Sequence, residues 1–168
     1  MKNCLIWFRN DLRLTDNQTV NLCLANNYRV LPVYIIDESM PIGSSSRWWL
    51  KKSLESLYKS MSGNLVIKKG DAKSILKQFI DSYDISVVCW NARYSKQELS
   101  QDNEIEEYII KHGLTVNIYH SSLLRDPSKT LKKDGTPFKV YTPFYKQKYS
   151  ELKYESHNYD IHKLHYLL

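Results

Sequence analysis

Asn3 to Asn17 reads NCLIWFRNDLRLTDN: six residues of strand character running directly into a loop that carries Arg9, Asp11, Arg13 and Asp16. An apolar run without polar alternation is what a strand covered on both faces requires, whereas a strand with one wet face alternates. The loop is costly, because its charges have to pair with one another or with something bound. Taken alone it reads as a self-satisfied polar turn in which Asp16 caps a short first helix.

The same pattern repeats outward from that stretch. Residues 30–37, 64–68, 85–90 and 114–119 are further apolar runs of strand length, separated by amphipathic segments. The second helical pattern puts Leu50, Leu54, Leu57, Tyr58 and Met61 on one stripe. The third, behind an Asp71 N-cap, does so with Ala72, Ile75, Leu76, Phe79, Ile80 and Tyr83. The fourth opens at Ser95 with Glu98 at capping-box spacing and stops where Gly113 can turn left-handed. Strict alternation predicts an α/β fold: a five-stranded parallel sheet, doubly wound in a Rossmann-like three-layer sandwich. The strand order expected for such a sheet is 3-2-1-4-5.

The α/β domain is expected over residues 1–130, with residues 131–168 forming an exit segment and the start of an interdomain linker. A last helix-like stretch runs from about Thr142 to Leu152, and the tail after it has no period. Six of the thirteen tyrosines fall within residues 125–168, so this segment is predicted to lie against a surface outside the chain and to be partly disordered after about residue 153.

Composition narrows the function classes. No apolar run approaches the roughly 20 residues of a membrane span and the N-terminus lacks a secretory pattern, which gives a cytoplasmic reading without a membrane partner. Of 24 cations 18 are Lys and they are scattered, so the net charge of +6 reads as solvated surface rather than a nucleic-acid footprint. The five glycines form neither G-x-G-x-x-G nor a P-loop, which argues against a dehydrogenase or an NTPase. No nucleophile elbow is present. Cys4, Cys23 and Cys89 lack C-x-x-C spacing, and His162 and His165 lack a ligating partner in sequence, so buried thiols and no metal site are expected.

Trp7 to Asn17 resembles, at every fixed position, the W-F-R-x-D-L-R-x-x-D-N opening of the DNA photolyase and cryptochrome family. Ser46 to Leu54 (SRWWLKKSL) is similar to the start of that family's second helix, Trp90 to Tyr94 (WNARY) to its loop after the fourth strand, and Ser121 to Phe144 to the stretch leading out of the domain. The resemblance implies the N-terminal, antenna-type domain of a deoxyribodipyrimidine photolyase. FAD and the repair of cyclobutane pyrimidine dimers in damaged DNA would then belong to a C-terminal helical domain of the same protein, leaving the isolated chain colourless and catalytically silent. A cryptochrome-type blue-light sensor shares these motifs, and a stand-alone nucleotide or small-molecule module is a third reading.

In open parallel sheets ligands bind past the carboxyl ends of the strands where the strand order reverses, here between the first and fourth strands. That makes Arg9, Asn91, Arg93, Tyr94 and Ser95 candidate antenna-site residues, together with Arg47 and Trp48 at the start of the second helix. Trp48 and Trp49 cannot both face the core, so one ring is expected inside. The family commonly has an acidic residue where this chain has Ser95, and Gln101 precedes Asp102 where an Arg-Asp pair is usual. A carboxylate that could hold a folate or deazaflavin antenna ring is therefore missing from its expected place. Asp102 falls on the apolar face of the fourth helix, where it needs a partner. Pairing with Arg9 or Arg13 is expected, as a structural clamp between the two loops.

Overall fold

The computed structural model describes residues 1–37, 42–149 and 159–168. Strands β1 (Asn3–Phe8), β2 (Arg29–Ile36), β3 (Val66–Lys69), β4 (Ile85–Asn91) and β5 (Thr115–Tyr119) alternate with helices α1 (Gln18–Ala25), α2 (Ser44–Ser60), α3 (Ala72–Ser82) and α4 (Lys96–Lys111). All pairings are parallel, as the alternation predicts, and the order is the expected β3-β2-β1-β4-β5. Successive side chains of a strand point to opposite faces, so β1 feeds both cores. Cys4, Ile6 and Phe8 pack with Val20 of α1 and with Leu54 and Leu57 of α2, while Leu5 and Trp7 pack with Leu76 and Phe79 of α3 and Ile105 and Ile109 of α4.

Local chemistry sets most element ends. Asp71 caps α3 by accepting from Ser74 N at 2.8 Å, and Ser95 with Glu98 forms a complete capping box on α4. Gly113, at φ 75°, lets its own N–H reach Ile110 O and that of Leu114 reach Ile109 O, which satisfies the last carbonyls of α4. One cap differs from expectation: Asn17, not Asp16, caps α1, its side chain accepting from Thr19 N. Asp16 sits in the left-handed region at φ 50° with its carboxylate turned to solvent, so the chain makes its corner one residue earlier.

Two other expectations are corrected, the second in part, and the last helix agrees as far as it is described. Trp48 and Trp49 are both exposed, at 61% and 67%, because the buried stripe of α2 runs through Leu54 and Leu57, which leaves both indoles off its axis. The last helix, α5, spans Tyr141–Lys148, and residues 150–152 of the predicted stretch lie outside the described residues. The end of the tail does not wait for an outside surface, because β6 (His165–Tyr166) pairs with β2 at Arg29 and Val30 and Leu164 is buried in the α1/α2 core, whereas Tyr141, Tyr145 and Tyr149 stay exposed. Space for it exists because β3 covers only Val33–Ile36 of the same β2 edge, leaving the other half of that edge unpaired. The disorder predicted after residue 153 falls partly on residues 153–158, which are outside the described residues.

Candidate functional site

Parallel strands end at one edge of the sheet, and there the loops leaving β1 and β4 meet. Arg9, just past β1, is buried; its Nη1 donates to Asp102 Oδ1 at 2.9 Å and its Nη2 to the carbonyl of Asn91. Arg93, just past β4, donates from Nη2 to the same Oδ1 at 2.5 Å and to Gln101 Oε1 at 2.8 Å. Gln101 in turn donates to Asp37 Oδ2 at 2.5 Å, which ties the exit of β2 into the network. The two guanidiniums lie over the Trp7 ring at 4.4 and 5.4 Å, and Trp7 meets Trp90 edge to face at 5.9 Å. Such cation–π contacts strengthen where water is excluded.

A second carboxylate completes the cluster. Asp11, 2% exposed, accepts the Arg9 backbone N–H at 3.0 Å and the side-chain amides of Asn17 and Asn91. The Asn91 amide also donates to Asn17 Oδ1 at 3.0 Å. Among the described residues the buried charges are thus Arg9 and Arg93 against Asp11 and Asp102, a balanced set. Desolvation lowers Arg9 to about 10 against the opposing pull of Asp102, so it stays protonated at neutral pH. At the rim, burial would raise Glu98, but hydrogen bonds from Ser95 and the charges of Arg93 and Arg9 hold it below the usual carboxylate value.

Of the sequence-predicted residues, this network brings together Arg9, Asn91, Arg93 and Asp102. Arg13 stays out of it: its guanidinium, 37% exposed, points away and donates to the backbone carbonyls of Asp16 and Ser121. The partner of Asp102 beside Arg9 is therefore Arg93. Tyr94 reaches outward, its hydroxyl 2.9 Å from His120 Nδ1, and burial raises its phenol above the ordinary value. The Ser95 hydroxyl is committed to capping α4. Arg47 is exposed and donates to Ile42 O at 3.3 Å, and Trp48 tilts against Trp49 at 6.4 Å.

With the switch point filled by its own charges, open space lies one strand over. A cleft of about 480 Å³ sits beyond the carboxyl ends of β1 and β2, bounded by Asn10, Arg13, Tyr34, Ser46, Trp49 and Ser53, with Arg9 at its floor. This is a volume typical of small-molecule sites. Tyr34 and Ser53 carried no signal in sequence; Trp49 did, as half of an exposed-prone Trp pair. Among the described residues no helix is long and apolar enough to cross a membrane.

The DNA photolyase family model matches residues 4–161. A deoxyribodipyrimidine photo-lyase of Agrobacterium fabrum is 38% identical over 146 residues, which is 84% of this chain and 30% of the relative. Cryptochrome-2 of Arabidopsis thaliana is 29% identical over 154 residues, 87% of this chain and 25% of the relative. A class III photolyase from Agrobacterium tumefaciens superposes with a TM-score of 0.81 at 36% identity, over 88% of this chain and 31% of that structure. The chain therefore spans 30% and 25% of the lengths of these two curated relatives, and its likeness to the photolyase exceeds that to the cryptochrome. It belongs to the DNA photolyase family and corresponds to that family's N-terminal α/β domain.

Proposed function

We propose that the chain serves a deoxyribodipyrimidine photolyase as its antenna domain, holding a light-harvesting heterocycle in the β1–β2 cleft. In the full-length protein FAD, in a C-terminal helical domain, would repair pyrimidine dimers flipped out of damaged DNA. The observation that carries this reading is the cleft itself: an exposed indole at Trp49 for stacking, hydroxyls at Ser46 and Ser53 and the Asn10 amide for in-plane hydrogen bonds, and Arg13 at the margin. The balanced charges beneath it favour a structural role for Arg9, Arg93 and Asp102, because a neutral, internally paired cluster has no spare charge for a ligand.

A titration of the chain with methenyl-folate, deazaflavin and flavin rings, followed by tryptophan fluorescence, tests the site. At least one ring is expected to quench, with Trp49→Ala removing the response and Trp48→Ala keeping it. The antenna reading fails if no ring quenches at high concentration, or if Trp48→Ala alone abolishes the response. The enzymatic reading is tested separately by repair of a dimer-containing oligonucleotide with the full-length protein under blue light.

A further inference from the structure

On the other face of the sheet from Trp7, three thiols converge. Cys4 of β1 and Cys89 of β4 lie on adjacent strands with sulfurs 3.6 Å apart, and Cys23 of α1 comes down on Cys4 at 3.5 Å. All three sulfurs lie within 4.8 Å of one another, and the residues are at most 1% exposed. None is disulfide-bonded. The strongest influences on each sulfur are burial and the other two thiols, with no cation among them. No fourth His, Cys, Asp or Glu joins the group among the described residues.

We propose that Cys4, Cys23 and Cys89 form a three-sulfur binding site for a trivalent thiophilic ion of the arsenic(III) class. Geometry selects the shape. With bonds of about 2.3 Å to sulfur, a planar three-coordinate ion needs its sulfurs about 4.0 Å apart, and a tetrahedral one needs about 3.8 Å and a fourth ligand. The two edges at Cys4, 3.5 and 3.6 Å, are shorter than either and correspond to angles near 100° at the ion, those of a pyramid with the ion out of the sulfur plane, and the third edge, Cys23 to Cys89, lies within 4.8 Å.

Charge selects the valence. Three thiolates with a monovalent ion leave two negative charges, and with a divalent ion one, in a core that offers no cation to offset them. A trivalent ion leaves none. The reaction is an exchange without redox change: arsenous acid gives up three hydroxides, each leaving as water with one thiol proton, and three arsenic–sulfur bonds form. Because the sulfurs are enclosed, entry requires α1 to lift, so binding waits on local opening of that helix.

The test is incubation of the 168-residue chain with arsenite near its melting range, followed by native mass spectrometry and X-ray absorption at the arsenic edge. One arsenic per chain with three sulfurs in a single shell is expected, together with a melting temperature that rises with arsenite. Cys23→Ala, on the helix rather than in the sheet, should weaken retention at least tenfold. If that variant fails to fold, the sulfur count on the native chain still decides. Two sulfurs and one oxygen, no retained arsenic, binding only to the denatured chain, or tighter one-to-one binding of zinc than of arsenite would each overturn the proposal.

Discussion

Asp102 illustrates how a single side chain acts in this fold. Its carboxylate is 7% exposed and accepts from two guanidiniums on one oxygen. Replacing a buried partner strands the charges opposite it, at a cost of about 3 kcal/mol or more. Asp102→Asn is therefore expected to lower the denaturation midpoint substantially, as seen by circular dichroism in urea. Arg13→Ala, at a half-exposed residue bonded to backbone carbonyls, should move it by much less. Equal effects from the two variants would remove the clamp from Asp102. Sequence spacing was enough to put Asp102 on the inner face of its helix and to require a cation there. It could not choose between Arg9 and Arg13 and did not point to Arg93, since that depends on which way each loop turns after its strand.

Element ends were legible wherever the stabilising group is local. Asp71, Ser95 with Glu98, and Gly113 all act within four residues of the helix end they fix. Asp71→Ala should cost about 1 kcal/mol, as loss of an N-cap does. Asp16→Gly should be neutral or mildly stabilising, because Asp16 occupies a left-handed conformation and caps nothing. Chemical denaturation of the two variants checks the contrast, and a large loss for Asp16→Gly would show that its ion pair with Arg13 matters more than its backbone. Asn17 was harder to read. It caps α1 and contacts Asp11 nearby and Asn91, the last of these a contact that spans 74 residues of sequence.

Across the whole molecule, the sheet gains its sixth strand from the tail. Leu164 enters the α1/α2 core, and Leu167 N donates to Val30 O at 2.9 Å. Deleting residues 164–168 removes a buried leucine, about 1.5–3 kcal/mol of apolar transfer, and reopens half of the β2 edge. The shortened chain is expected to unfold at lower denaturant and to associate through that edge, which size-exclusion chromatography and urea titration would show. An unchanged midpoint and a monomeric profile would mean that β6 contributes nothing.

The sequence by itself determined the parallel sheet and the family, because hydrophobic period, caps and the motif from Trp7 to Asn17 are short-range properties written in consecutive residues. Only the tertiary structure decided what those residues do. It turned the switch point into a neutral knot of two arginines and two aspartates, moved the open cleft to the β1–β2 side beside Trp49, and gathered three cysteines separated by up to 85 residues into one cluster. Each outcome depends on which side chains of different strands and helices share a face and a depth, and spacing along the chain carries no record of that.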